Sequence, residues 1–459
     1  VTRLHAGPVL ALALLAACAH AGPPRAASTP EAPAPPLLAG PAPSPAPASP
    51  PPTRITGRIT LAAVGDVLMH DAVKRSAATF GAGAPDAGFS WLYEPVADLL
   101  ARVDLAFANL ETPIAPKGGG TREFVFNATA DAARALQRSG IDVVAVANNH
   151  AFDQGRSGFE ETLATLDGLG LRRTGAGPAQ RPEGPEQFEI GGFRIALLGW
   201  SRFFNQDGNE CPRGGDAARC LRAAQLDPDR AVEAVKAAAR DADFVVVSLH
   251  WGEEYQQQPR AEDVELAHRL ADAGASVLLG HHPHVLQPIE LYRRADGKTS
   301  IIAYSLGNFV SNQSRGYVFG VTPDKAAATR DGALLEVELV RRDYGRGVVE
   351  AEVGAAGYVA LWTENDTAEI DPRKEPTRRP RIRVVAVDRA LAEVRAGLAG
   401  LPDPVRPERR SEWLRLRNLE ALYVARKEAI ARVLGGDLER AVAPPAPGPT
   451  PATASPPAR

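Results

Sequence analysis

The sequence predicts an α/β layered fold, and three features carry that expectation. Short apolar runs recur along the chain, and those at 141–147 and 244–249 are near-continuous, as in strands buried on both faces of a sheet. Each run ends in a polar cluster, and stretches with helical spacing lie between the runs. No motif returns at a fixed period, which sets solenoid architectures aside. A repeated order of strand, polar cluster and helix suits a sheet whose carboxyl edge gathers one site.

Residues 59–64 form the first run and deliver Gly65-Asp66, with His70 a helical turn later. A helix is expected over 91–102, then a strand over 103–108 that ends in Asn109-Leu110-Glu111. Helix 131–139 stops at Gly140, and strand 141–147 runs into Asn148-Asn149-His150-Ala151-Phe152-Asp153. Asp153 could cap the helix starting near Ser157, but packing gives Asn149 and His150 no reason to be there. A fourth strand covers 193–200, and Asp227 with Pro228 begins a helix over 229–240. Strand 244–249 delivers His250-Trp251-Gly252-Glu253-Glu254-Tyr255, and the helix over 260–273 carries His268 as a surface or half-buried residue. The run 275–279 then hands Gly280-His281-His282-Pro283-His284 to a loop, where three of the nine histidines fall within four residues. Strand 300–304 leads to Ser305-Leu306-Gly307-Asn308-Phe309, and 333–340 alternates like an antiparallel strand with one wet face.

Composition bounds the rest. A net charge of −3 over 459 residues gives no pull toward nucleic acid. Half of the 40 prolines sit in two Ala/Pro/Ser-rich segments, thirteen between Pro23 and Pro52 and seven between Pro444 and Pro457. Such segments bury too little apolar surface to fold and act as extended spacers. The first eighteen residues read as a targeting segment: Arg3 supplies charge, 8–17 is apolar but too short to span a bilayer, and Leu15-Ala16-Ala17-Cys18 resembles a bacterial lipoprotein signal. The expectation is an exported protein of the bacterial cell envelope, held to a membrane through lipid on Cys18 by a tether. An ordinary secretory peptide is the alternative. For an exported chain, Cys211 and Cys220 are either a disulfide or two separate thiols. The expected divisions are a signal at 1–18, a linker at 19–56, a main domain at 57–345, an extension at 346–440 and a Pro-rich tail at 441–459.

Collected at the strand ends, Asp66, Glu111, Asn149, His150, His250, His282 and His284 offer mixed oxygen and nitrogen donors. That set suits two divalent ions, with manganese, iron or zinc favoured over calcium. In order, Gly65-Asp66, Asn109-Leu110-Glu111, Asn149-His150-x-x-Asp153, His250-Trp251-Gly252-x-Glu254-Tyr255, Gly280-x-His282-Pro283-His284 and Ser305-Leu306-Gly307-Asn308-Phe309 resemble the CapA family. This is the capsule and poly-γ-glutamate synthesis family within the calcineurin-like metallophosphoesterase superfamily, and the resemblance covers roughly 59–340. It implies a four-layer α/β/β/α sandwich. By motif it assigns Asp66 and His284 to a first metal, Asn149, His250 and His282 to a second, and Glu111 to the bridge. It makes His150 the general acid, Asp153 its orienting partner, and Glu254 and Asn308 substrate neighbours. Three positions depart from the superfamily pattern: Asp66 and His70 are four apart, the bridging residue is Glu rather than Asp, and Asn148 precedes Asn149 where Gly is usual. His70 is left unassigned, and His281 falls at a variable position.

Beyond 340 a mixed strand and helix extension is expected, with strands at 344–362 and 381–387 and helices at 389–398 and 411–434. Residues 373–417 hold thirteen Arg and Lys against six Asp and Glu, either a solvated surface or a patch for an anionic polymer or lipid headgroups. Three functions stay open: a di-metal hydrolase acting on a phosphoester or on a capsule or wall polymer such as poly-γ-glutamate; a non-catalytic module that binds, exports or anchors that polymer; and a periplasmic nucleotidase or phosphodiesterase.

Overall fold

The computed structural model describes residues 53–442 except 215, 217–219, 372 and 403. The expected signal with Cys18, nearly all of the linker and all but two residues of the tail lie outside the described residues. The chain begins with β1 (Arg54–Val67), α1 (Asp71–Phe80), the short α2 (Ala97–Ala101) and β2 (Leu105–Asn109). Next come α3 (Ala130–Arg138), β3 (Val143–Ala145), α4 (Gly155–Leu169), β4 (Arg172–Thr174) and β5 (Ala176–Pro178). They are followed by β6 (Glu186–Ile190), β7 (Phe193–Ser201), β8 (Leu221–Ala223), α5 (Pro228–Asp241), β9 (Phe244–His250) and α6 (Ala261–Asp272). After β10 (Val277–His281) lie β11 (Leu286–Arg293), β12 (Thr299–Leu306), β13 (Asn308–Val310) and β14 (Asp331–Gly345). Last are β15 (Val348–Asn365), β16 (Ile382–Ala386), α7 (Val387–Ala399) and α8 (Arg410–Leu434).

Two sheets form the centre. One runs β16-β15-β14-β1-β2-β3-β4 with β13 beside β1, and the other β11-β12-β10-β9-β7-β6. Side chains alternate across a strand, so each sheet has two apolar faces to cover. Ile59, Leu61 and Ala63 of β1 meet Phe193, Ile195 and Val246 of the second sheet, while Ala62 and Val64 face the other way toward Val73, Leu136 and Phe159 of the helices. On the far side, Leu198, Val247 and Leu278 pack against Val235, Leu266 and Leu270 of α5 and α6. Helix, sheet, sheet, helix is the four-layer sandwich expected from the resemblance.

Two local expectations fail for identifiable reasons. The helix expected over 91–102 is broken into 3-10 turns at Phe89–Leu92 and Glu94–Val96 before α2. Pro95 lacks the N–H that a continuous helix needs, at a cost of about 3 kcal/mol. β14 has no wet face along its first half: it lies between β1 and β15, and Glu336 is buried under Arg102 and Arg440. Asp227 does cap α5, accepting from the backbone N–H groups of Asp229 and Arg230. Cys211 and Cys220 are joined in a disulfide.

Across residue 345 the chain turns from β14 directly into β15, whose antiparallel pairing continues the first sheet, and β16 adds its edge. Leu391 and Val394 of α7 and Leu416, Tyr423 and Ile430 of α8 join the core between the sheets. Several arginines of the basic stretch are paired within the protein: Arg383 with Glu364 at 2.7 Å, Arg389 with Asp98 at 2.6 Å and Arg378 with Asp366 at 2.9 Å.

Arg426 of α8 is buried and lies 3.3 Å from Asp331 Oδ1. Burial pushes the Asp331 carboxyl from 3.8 up to about 7, although Arg426 and Arg330 pull the other way. A carboxyl raised in the folded state contributes stability that is full below its unfolded value and is lost as the pH rises through the folded one. Urea melts should therefore show a loss of stability between pH 5 and pH 8 that Asp331→Asn reduces. Identical pH profiles for the two proteins would contradict this.

Candidate metal centre

Register brings the polar strand ends together. Asp66 pairs with Asn109 of β2 on one side and Asn308 of β13 on the other, and His250 pairs with His281 across β9 and β10. The backbones are close enough that Cβ atoms added at Gly65 and Gly280 would meet the carbonyl oxygens of Gly307 and Tyr304 at 1.9 and 1.8 Å. Glycine is the residue that permits such an approach. His282 and His284 have φ of 96° and 58°, conformations that cost on the order of 1–3 kcal/mol each and gather at functional sites.

Glu111 lies at the centre. Its Oε1 is 3.5 Å from His250 Nε2, 3.8 Å from His284 Nε2 and 4.0 Å from His150 Nε2. These separations are too long for hydrogen bonds, and neither carboxylate oxygen of Glu111 has a hydrogen-bond partner although the residue is fully buried. Among the described residues, no Lys or Arg pairs with Asp66 or Glu111; the only ion-pair distances to these two carboxylates are from histidines. Three groups of donors converge to within 4.8 Å: Glu111, His250 and His282; Asp66, Glu111 and His284; and Glu254, His282 and His284. Buried acceptors without donors or cations are costly, and a divalent ion relieves that cost. The donor set fits such ions: carboxylate, amide oxygen and imidazole.

Neighbouring groups orient several of these donors. His284 Nδ1 lies 3.1 Å from both Asp66 Oδ2 and Asn308 Oδ1. Both are acceptors, so Nδ1 carries the proton and Nε2 presents its lone pair toward Glu111. Asn109, which the sequence did not single out as a site residue, donates from Nδ2 to Asp66 Oδ1 at 2.8 Å and lies 3.3 Å from His250 Nδ1. Asn149 Oδ1 is 2.8 Å from His250 Nε2. His282 Nδ1 is buried with no hydrogen-bond partner.

Electrostatics follow from burial and crowding. Burial works to raise the Asp66 carboxyl, but the nearby imidazoles of His281 and His284 hold it well below the ordinary range. Burial, then the charges of Asp66 and Glu254, push Glu111 well above its ordinary value. Burial, helped by neighbouring histidines, pushes His250 well down and His282 to about 4, keeping both imidazoles neutral and able to ligate.

His150 stands at the edge of this cluster. Its Nδ1 is 2.8 Å from Asp153 Oδ2, which also accepts from Phe126 N–H at 2.6 Å. The carboxylate oxygen makes Nδ1 the donor and leaves Nε2 facing Glu111. The Phe126 ring packs edge-on against His150, centroids 4.6 Å apart, and nothing in the sequence pattern marked it. Asn308 is buried, and its Nδ2 donates to Gln313 Oε1 at 2.9 Å and Thr329 O at 2.8 Å. It therefore braces His284 from within the protein. Glu254 is exposed at the solvent side of the donors. His281 is buried 3.4 Å from Asp66 Oδ1, behind the cluster, and His70 belongs to none of the three donor groups.

The profile of the bacterial capsule synthesis protein family PGA_cap matches residues 60–313. The chain belongs to this family. It is 31% identical over 288 residues to "PGA biosynthesis protein CapA" of Bacillus subtilis (strain 168), a match covering 62% of this chain and 68% of that protein. It is 29% identical over 304 residues to "Capsule biosynthesis protein CapA" of Bacillus anthracis, covering 64% of this chain and 66% of that protein. A crystal structure from Thermus thermophilus aligns over 64% of this chain and 97% of its own at 12% identity, with a TM-score of 0.31. The matched PGA_cap region runs from β1 to just beyond β13 and so contains all of the convergent donors.

Proposed function

We propose that this PGA_cap protein is a metal-dependent hydrolase of the bacterial cell envelope that opens a phosphoester or an amide bond of a capsule or wall polymer. Poly-γ-glutamate is the polymer that the capsule role of its relatives points to. The observation that supports hydrolysis most is Glu111: a buried carboxylate with two unpartnered oxygens, surrounded by imidazoles, beside a histidine already oriented by a carboxylate.

Asp66 and His284 would hold one divalent ion, and Asn149, His250 and His282 a second, with Glu111 between them. Such ions, manganese, iron or zinc, would supply Lewis acidity there, polarising the scissile oxygen and making a bound water acidic. Asn308 holds His284 in the tautomer that frees Nε2, and Asn109 steadies Asp66 and His250. His150 in its imidazolium form, with its Nδ1–H held by Asp153, delivers the Nε2 proton to the leaving atom and returns to the neutral ring. Glu254, on the solvent side, meets the substrate. The Cys211–Cys220 disulfide supports an oxidising compartment, as export and a lipid on Cys18 would provide. Among the described residues no helix is long and apolar enough to cross a membrane.

The test is turnover of a panel of phosphoesters and γ-glutamyl polymers by the full chain before and after chelation. Hydrolysis that disappears on chelation and returns with manganese or zinc is expected. Polymer binding without turnover in every metal-loaded form would make the protein a binding module instead.

A further inference from the structure

Two turns meet at the solvent side of the metal centre. One carries His282, Pro283 and His284, and the other runs from Trp251 to Gln256 and carries Glu254. The second turn is pinned on both sides of Glu254. Before it, the Trp251 backbone N–H donates to His281 O at 3.1 Å, and the Trp251 indole to Tyr304 O at 3.1 Å. After it, the Tyr255 N–H donates to Pro283 O at 2.8 Å, and Gln287 Nε2 to Gln256 O at 2.8 Å. Gly252 packs so near Pro283 that a Cβ there would lie 3.1 Å from the Pro283 Cγ. Tyr255 holds a φ of 64°, a conformation that costs a non-glycine residue energy and gathers at functional sites.

A carboxylate fixed at that place needs a reason. Glu254 is exposed, yet one of its oxygens lies within 4.8 Å of a ring nitrogen of each buried histidine, His282 and His284. Its charge also reaches Glu111, whose carboxyl it helps to push up. Among the described residues no Lys or Arg is paired with Glu254; Arg260, near enough to act on His282, is committed to Glu262 and Asp263. His284 belongs to the ligands of one ion and His282 to those of the other, so Glu254 is shared between them on the solvent side as Glu111 is on the buried side. The charges agree with this. Two divalent ions carry four positive charges, against two carboxylates without Glu254 and three with it. A fixed carboxylate would repel an anionic substrate at the same place, so Glu254 makes a poor permanent neighbour for one.

We propose that Glu254 is a displaceable metal ligand: in the resting protein it closes the solvent face of the two ions, and an anionic oxygen of the substrate takes its place. The exchange is one anion for another. The bond from the Glu254 oxygen breaks as the bond from the incoming oxygen forms, and no proton moves. Glu254 therefore meets the substrate by giving way to it. This rests on the two ions of the hydrolase reading, but not on turnover.

The experiment titrates manganese into the full chain and into its Glu254→Gln variant by calorimetry, then titrates inorganic phosphate into each loaded protein. Glu254→Gln should bind manganese about tenfold more weakly or worse, since loss of a group that merely supports a ligand already costs that much. Once loaded, the same variant should bind inorganic phosphate about tenfold more tightly, because no carboxylate has to leave and no like charge opposes the ligand. A residue that only shaped the turn would weaken both ligands together. Equal melting temperatures of the two proteins in chelator are expected and separate the shifts from misfolding. Both shifts are required: unchanged manganese affinity, or phosphate that binds no more tightly, overturns the proposal. A parent that takes up no manganese ends the two-ion reading and this proposal with it. A loaded parent and variant that show both shifts while neither hydrolyses any substrate leave Glu254 as proposed and end the hydrolase reading alone.

Discussion

Glu111→Gln should strip the metal-loaded protein of its ions and its turnover while leaving the metal-free protein at least as stable as the parent. In the metal-free fold Glu111 is a liability: fully buried, both oxygens unpartnered, and its carboxyl pushed well up by burial and then by Asp66 and Glu254. An uncompensated buried charge costs several kcal/mol, and a neutral amide of nearly the same shape avoids that cost. With ions bound the balance reverses, because the carboxylate then has the cations it lacks. Ligand linkage stabilises the loaded parent by about 2.7 kcal/mol at a hundredfold excess over Kd, and the variant should lose that increment. Melting temperatures with and without chelator, beside metal content by emission spectroscopy, measure both effects. A variant less stable than the parent in chelator, yet still holding its metals, would show that Glu111 has another role.

His150→Ala should separate chemistry from metal binding. His150 Nε2 faces Glu111 from 4.0 Å, and its Nδ1 is committed to Asp153 at 2.8 Å. The expected result is unchanged metal content and a fall in kcat of about 10²–10⁴-fold, the usual range for loss of general acid–base catalysis. Asp153→Asn should cost less, since it removes the group that orients His150 rather than the group that carries the proton. Its signature is an altered pH profile of kcat with metals retained. Loss of metal in His150→Ala would instead make His150 a ligand.

Much of this site is legible in the sequence because parallel strands deliver their first polar residues to one edge. Asp66 and His250 stand at the ends of buried strands and Glu111, Asn149, His282 and His284 lie a few residues past such ends, while strand register sets Asp66 beside Asn109 and Asn308 and His250 beside His281. The supporting residues are harder to read. Asn109 ends β2 as one more strand-end amide, and only its contacts with Asp66 and His250 show what it does. Phe126 sits in a loop with no periodic signal. Asn308 is polar at a strand end, which suggests substrate, yet the fold places it behind His284.

The fold divides along similar lines. The buried strands β1, β2, β3, β7, β9 and β10 and the helices α3, α5 and α6 follow period and composition, whereas α1 and the short β4, β5, β6 and β8 do not, and Pro95 alone could have warned that 91–102 is not one helix. The burial of β14 on both faces depends on partners far away in sequence, with Arg102 before it and Arg440 after the last helix. Local pattern carries no trace of such contacts. The same holds for α8, whose charged sequence reads as a solvated helix although Arg426, Tyr423 and Ile430 are buried.

The account rests on Glu111 lying between two cations, and anomalous diffraction from crystals soaked in manganese tests this most directly. It predicts two peaks about 3.5–4 Å apart, one beside Asp66 and His284 and the other beside His250 and His282, with Glu111 touching both. No peak at this edge, or a single peak that leaves the Glu111 carboxylate uncoordinated, would contradict it.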